Sequence, residues 1–164
     1  MNRKDQSSTD PQSAALTLDA QLCFALYSAQ LAMNKVYRHY LADLGLTYPQ
    51  YLVMLVLWEH DGLTVSALGQ HLYLDSATLT PLLKRLQGLG LLQRDRAQAD
   101  QRQVLISLTD AGRALRRQAQ SVPQGVLCAT GCTPDQIQGL KAQLEALRAR
   151  LQMMPTGSSQ ESGQ

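Results

Sequence analysis

Cys23, Cys128 and Cys132 carry most of the latent chemistry in this 164-residue sequence, and they are its only cysteines. Their number is odd and none lies in a C-x-x-C pair, so neither a disulfide scaffold nor a thiolate zinc site is expected. They are packing residues or reactive thiols. A free thiol, with a pKa near about 8.5, reacts only as far as its surroundings favour the thiolate. His39, His60 and His71 have no ligand spacing with one another or with acidic residues. Nothing resembles a phosphate-binding loop, a nucleophile elbow or a pair of catalytic carboxylates. The expectation is therefore no bound metal or cofactor and no enzymatic turnover.

The second chemistry is charge. Lys84 to Arg117 holds eight Lys/Arg against three Asp, a surplus of +5 in a chain whose total is +2. A basic segment on a slightly acidic body is the footprint of a surface that meets phosphate, although a solvated helix face has the same signature.

These residues must be held by helices for the most part. The chain is 45% apolar and 5% aromatic, and it is rich in Leu but poor in Val and Ile. No apolar run approaches the roughly 18 residues of a membrane span, so no membrane partner is expected. The start, Met1-Asn2-Arg3-Lys4-Asp5, leads into Ser, Thr, Asp, Pro and Gln without an apolar secretory region, so a cytoplasmic location is expected. Residues 1–15 and 155–164 read as disordered tails around a single domain over 16–154.

Leu22, Leu26, Leu31, Val36, Tyr40 and Leu44 trace a helix over about 17–44 that Gly45 stops. Thr47-Tyr48-Pro49-Gln50 is a capping box with Pro in the first turn, opening an apolar, buried helix over about 48–60. Asp61-Gly62 reads as a turn, and Thr64 caps a short helix with Val65, Leu68 and Leu72. Asp75 caps the next, over about 76–89, which sets Leu79, Leu82, Leu83 and Leu86 against a small basic face. Leu91–Arg94 and Val104–Leu108 read as a hairpin whose charged tip carries Arg94, Arg96 and Arg102. Thr109 caps a further helix reaching the neighbourhood of Pro123, before a Gly-punctuated stretch containing Cys128 and Cys132. Thr133-Pro134-Asp135-Gln136 opens the last helix, where Ile137, Leu140, Leu144, Leu147 and Leu151 form a heptad seam suited to a second subunit.

The fold class is thus mainly α with a small β-hairpin wing. A winged helix-turn-helix occupies about 47–108, and dimerisation helices lie over about 17–44 and 110–153. Such a module puts its second helix in the major groove and its hairpin tip against the backbone or minor groove.

Leu46-Thr47-Tyr48-Pro49-Gln50-Tyr51, Leu57-Trp58-Glu59-His60-Asp61-Gly62 and the run from Leu74-Asp75-Ser76-Ala77-Thr78 to Lys84-Arg85-Leu86 resemble the MarR family of dimeric bacterial repressors. The branch most similar is that of the organic hydroperoxide resistance regulators. The resemblance covers about 16–150 and includes the wing end Asp100-Gln101-Arg102-Gln103-Val104 and a cysteine in the first helix. It implies that Cys23 senses peroxide and that the hydroxyls of Tyr37 and Tyr48 approach its sulfur, donating to the thiolate without adding charge. Tyr27, at i+4 from Cys23, would line the same site. Without the resemblance, Cys23 reads as a small buried hydrophobe.

In two-cysteine members a resolving thiol lies where Cys128 stands. Sulfenic acid at Cys23 would then condense with Cys128 of the other subunit, which spares it further oxidation. Cys132, one turn on if that segment is helical, is the alternative resolving thiol. For DNA, the resemblance implies Ser76, Ala77, Thr78, Pro81, Lys84 and Arg85 on the recognition helix and Asp100 with Arg102 on the wing, beside the Arg94 and Arg96 read from the charged tip. Ala77 and Gln101 depart from the family's usual Gly and Glu, which bears on operator preference. Pro81 also reads as a simple kink.

Together these imply a homodimer that binds a double-stranded, pseudo-palindromic operator when reduced and leaves it when organic hydroperoxide oxidises Cys23. Two rivals stand beside that reading. One is a MarR-type repressor answering to a small aromatic ligand, with structural cysteines; the other is a thiol peroxidase.

Overall fold

The computed structural model describes residues 16–96 and 104–154. Both tails and the wing tip, with Asp100, Gln101 and Arg102, lie outside the described residues. Those described fall into two compact units, one ending at Pro123 and the other starting at Gln124.

In the first unit, helix α1 (Leu22–Tyr40) is flanked by short 3-10 turns at Leu18–Ala20 and Ala42–Leu44. The helix is therefore shorter than the apolar stripe suggests, because Leu44 continues the stripe from a tighter turn that closes at Gly45 (φ 64°). Helix α2 (Tyr48–Glu59) starts where its box places it: Gln50 accepts a hydrogen bond from the Thr47 amide at 2.8 Å, and Pro49 needs no donor in the first turn. Tyr51, Val53, Met54, Leu57 and Trp58 make it the buried centre of the unit.

The helix-turn-helix follows as α3 (Val65–Leu72) and α4 (Ser76–Gly88). Thr64 accepts from the Ala67 amide at 3.1 Å and Asp75 from the Thr78 amide at 2.6 Å, so both helices start on a side-chain cap. Leu68, Leu79, Leu83 and Leu86 are fully buried and seat the pair against α2. Pro81 has no amide to donate, so the Ala77 carbonyl loses its helical partner in the first half of α4, yet the helix continues to Gly88.

The wing is a three-stranded antiparallel sheet rather than a two-stranded hairpin. Strand β2 (Leu92–Arg96) pairs with β3 (Val104–Leu108), and the two-residue β1 (Leu63–Thr64) pairs with the other edge of β3, in the order β1-β3-β2. The sequence hides β1 because Thr64 both pairs with Leu105 and caps α3.

Helix α5 (Asp110–Gln118) locks the wing to the core. Thr109 donates to the Gly90 carbonyl at 2.6 Å and accepts from the Gly112 amide at 3.1 Å, while the buried Trp58 indole donates to the Gly112 carbonyl at 2.9 Å. Asp61, read from sequence as a turn residue, accepts from the Leu108 amide at 2.8 Å and pairs with Arg113. A Cβ at Gly112 would lie 2.0 Å from the Leu91 carbonyl oxygen. Gly112→Ala is therefore expected to cost about 3 kcal/mol or more in urea unfolding, since backbone would have to move.

After a 3-10 turn at Ala119–Ser121, helix α6 (Val122–Thr130) begins with Pro123 in its first turn, where the missing donor is harmless. The helix expected to fade near Pro123 is thus broken and restarted. In the second unit α6 ends at Gly131 (φ 66°), and α7 (Pro134–Gln152) opens on a complete capping box between Thr133 and Gln136 at 2.9 and 3.3 Å. Leu140, Leu144 and Leu151 on α7 are exposed, as are Leu22, Leu26 and Leu31 on α1.

Candidate sensor cluster and nucleic-acid interface

The C-terminal part of α1 meets the start of α2 through aromatic rings. Tyr37 and Tyr48 have ring centroids 4.3 Å apart at 34°, and Tyr51 stands 6.0 Å from Tyr37 and 6.2 Å from Trp58. Burial, together with the neighbouring Tyr48 and Tyr51 phenols, pushes Tyr37 up to about 12. Burial also raises Tyr48 and Tyr51. All three phenols stay protonated at neutral pH and so remain hydrogen-bond donors that add no charge.

The same shift sets a pH limit. A tyrosine raised from 10.0 to about 12 favours the folded state fully below pH 10, and the advantage is lost as pH rises through the folded value. Thermal melts are expected to lose stability more steeply between pH 10 and about 12 in the native protein than in Tyr37→Phe.

Cys23 is the second residue of α1 and is exposed. Tyr27, also exposed, follows one turn later. Tyr37 lies fourteen residues beyond Cys23 along the same unbroken helix, about 21 Å at 1.5 Å per residue. Within one chain the structure therefore groups Cys23 with Tyr27, and Tyr37 with Tyr48 and Tyr51, and keeps the two groups apart. Sequence reasoning missed Tyr51, although its i+3 spacing from Tyr48 on α2 was the available signal.

In the second unit Cys128 is exposed on α6, and the Gln124 amide donates to its Sγ at 3.8 Å. Cys132 is not on that helix. It follows the Gly131 reversal, with its amide on the Thr130 hydroxyl at 3.2 Å and its Sγ donating to the Thr130 carbonyl at 3.6 Å. The helical i+4 relation that would make the two thiols equivalent is thus broken by glycine.

On α4, Ser76, Ala77, Thr78, Pro81, Lys84 and Arg85 are all exposed, opposite the buried Leu79, Leu83 and Leu86. Asp75 starts that face, and its hydrogen bond from the Thr78 amide holds its carboxyl below the usual range. Arg94 does not sit at the wing tip. It pairs with Ile106 in the body of β2, on the face of buried Leu92, and its Nε is buried without a partner. The two-residue alternation of a strand turns it inward. Arg96 pairs with Val104 at the strand end, and its side chain is outside the described residues. Nothing among the described residues groups three metal-ligating side chains, and none of their helices is long and apolar enough to cross a membrane.

The family model of the transcriptional regulators SarA/Rot matches residues 35–118. The chain is 51% identical over 142 residues to the HTH-type transcriptional regulator TtmR of Methylorubrum extorquens, covering 87% of this chain and 71% of that protein. To the organic hydroperoxide resistance transcriptional regulator of Bacillus subtilis it is 46% identical over 132 residues, covering 80% and 90%. Among solved structures, AbfR of Staphylococcus epidermidis superposes with a TM-score of 0.67 at 34% identity, covering 86% of this chain and 96% of that one. AbfR is also known reduced on DNA (TM-score 0.67, 37% identity, 84% and 96% covered) and in a disulfide-formed state (0.57, 38%, 83% and 96%). These relatives are transcriptional regulators, not enzymes, and the winged-helix architecture is theirs. With its helix-turn-helix, three-stranded wing and exposed basic recognition face, the chain belongs to the MarR/SarA family of winged-helix transcriptional regulators.

Proposed function

We propose that this regulator is a DNA-binding repressor that senses organic hydroperoxide through Cys23 and works as a homodimer on a pseudo-palindromic operator. The observation that carries the reading is the pair of protonated phenols at one end of α1 with an exposed thiol at the other. A second copy running antiparallel along α1 brings each thiol to its partner's Tyr37 and Tyr48. The exposed Leu22, Leu26 and Leu31 on α1, and Leu140, Leu144 and Leu151 on α7, supply apolar area for such a dimer. The B. subtilis relative and the reduced and disulfide-formed states of AbfR support the chemistry by similarity.

The Cys23 thiolate attacks the outer oxygen of the hydroperoxide. The O–O bond breaks, an alkoxide leaves and takes a proton to become the alcohol, and Cys23 becomes sulfenic acid. The Cys128 thiol of the other subunit then displaces hydroxide, which leaves as water, and a disulfide forms. Cys128 is favoured over Cys132 because its sulfur accepts a hydrogen bond, whereas that of Cys132 donates one to a carbonyl. Linking the subunits shifts the two recognition helices away from successive major grooves.

The test is a non-reducing gel with intact masses before and after one equivalent of an organic hydroperoxide. A dithiothreitol-reversible covalent dimer is expected in the native protein, and none in Cys128→Ser, which should still bind DNA when reduced. A crosslink that persists in Cys128→Ser would move the resolving role to Cys132.

A cavity of about 610 Å³ lined by α1, the start of α2 and the end of α3 favours the second reading, a small aromatic ligand. Arg38, Asn34 and Gln30 line one side, and Tyr48, Leu52 and Leu72 the other. Retained hydroperoxide response in Cys23→Ser would make that the working mechanism.

A further inference from the structure

We propose that Asp61 is a positioning residue for DNA binding, whose carboxylate sets the wing against the recognition helix so that both meet one duplex. This rests on the DNA-binding reading above. β3 is the central strand of the wing, and β1 meets it with Leu63 opposite Ile106 and Thr64 opposite Leu105. Two residues back along that register Asp61 stands opposite Leu108, but the chain has turned away at Gly62 (φ 77°). The carboxylate makes the missing rung. Its Oδ1 accepts from the Leu108 amide at 2.8 Å and from the Gly62 amide at 2.9 Å, and its Oδ2 pairs with Arg113 of α5. Asp110 stands 3.8 Å from Arg113 Nε, so the guanidinium is held between two acids. One side chain thus joins the turn after α2, the root of β3 and α5. Because α2 packs on both α3 and α4, what Asp61 holds is the wing relative to the recognition helix.

The fold does not depend on this clasp. β3 keeps its pairing with β2 from Val104 to Leu108, and Thr109 and Trp58 hold α5 through Gly90 and Gly112. The Arg113 and Asp61 side chains are 54% and 36% exposed, and an ion pair so open to water contributes little to stability. What the clasp restricts is the swing of the wing. Two surfaces that must touch one duplex together bind best when their relative placement is fixed beforehand. Charge alone argues the other way, since removing an acid from a DNA-binding protein raises its affinity for the polyanion. A positioning role reverses that sign.

The test uses a scrambled duplex of about 30 base pairs at low salt, because phosphate contacts by the wing and the recognition helix need no operator. The native protein, Asp61→Asn and Asp61→Ala are titrated alongside thermal melts, with Glu59→Gln, exposed two residues earlier, as the control for charge alone. Asp61→Asn keeps an oxygen for the two amides but loses the Arg113 pair, and is expected to bind about threefold more weakly while melting within about 2 °C of native. Asp61→Ala loses all three partners and is expected to bind about tenfold more weakly. Glu59→Gln should bind at least as tightly as the native protein. In an Arg113→Gln background the weakening by Asp61→Asn should vanish, which a general loss of stability does not produce. An Asp61→Asn variant that binds as tightly as Glu59→Gln, or that weakens binding equally with and without Arg113, would overturn the proposal. Failure of the unsubstituted protein to bind the duplex at all would overturn the DNA-binding reading with it.

Discussion

Replacing Cys23 with Ser is expected to leave DNA affinity unchanged and to abolish its loss on exposure to organic hydroperoxide. A serine hydroxyl is not ionised at neutral pH and forms no sulfenic acid, so the chemistry stops at its first step. Cys23 is exposed on α1, far from the recognition helix in sequence and with no role in the core, so the fold loses nothing. In the native protein, oxidation is expected to weaken binding by up to about 150-fold, the usual upper range of a coupling between two sites. In Cys23→Ser the ratio should be one. Fluorescence anisotropy on labelled duplex, with and without one equivalent of hydroperoxide, reads both numbers from the same samples.

The second large effect belongs to the recognition helix. Lys84 and Arg85 are exposed, lie on the opposite side of α4 from Leu79, Leu83 and Leu86, and have no ion-pair partner among the described residues. Their charge is therefore available to DNA. Removing both in Lys84→Ala/Arg85→Ala is expected to weaken binding by at least about 100-fold, because a good arginine contact to a base is worth about 1–3 kcal/mol and a dimer makes it twice. Unfolding midpoints should barely move, since the leucine face of α4 is intact. A variant that binds as the native protein does would put the interface on another surface.

Much of this was legible in the sequence because local signals agreed. Thr47, Thr64, Asp75, Thr109 and Thr133 each mark a helix start, and each does so in the structure. The leucine pattern of residues 79–86 gave the buried and the exposed side of the recognition helix together. What stayed hidden depended on partners distant in the chain. β1 exists only because β3 offers Leu63 and Thr64 an edge. Asp61 reads as a turn residue until Arg113 and the Leu108 amide, about fifty positions on, meet its carboxylate. Arg94 reads as a tip cation until the strand register turns it toward the core.

The proposed sensor was half legible. Cys23, Tyr37 and Tyr48 could be named by resemblance. On the proposed reading, the fourteen residues that separate Cys23 from Tyr37 along α1 mean that two chains complete the site, and the pairing of Tyr37 with Tyr48 and Tyr51 of α2 is what the sequence did not show.

A mixed-dimer experiment tests that two-chain site most directly. Cys23→Ser chains are combined with Cys128→Ser chains, and separately Cys23→Ser/Cys128→Ser chains with native ones; each mixture is treated with one equivalent of organic hydroperoxide, and its mixed dimers are isolated for intact mass. If the sensor forms between subunits, the first pairing gives a covalent mixed dimer that dithiothreitol reverses, and the second gives none. If no covalent mixed dimer forms in the first pairing, while the native chain of the second closes a disulfide within itself, the site lies within one chain and the two-subunit mechanism is wrong.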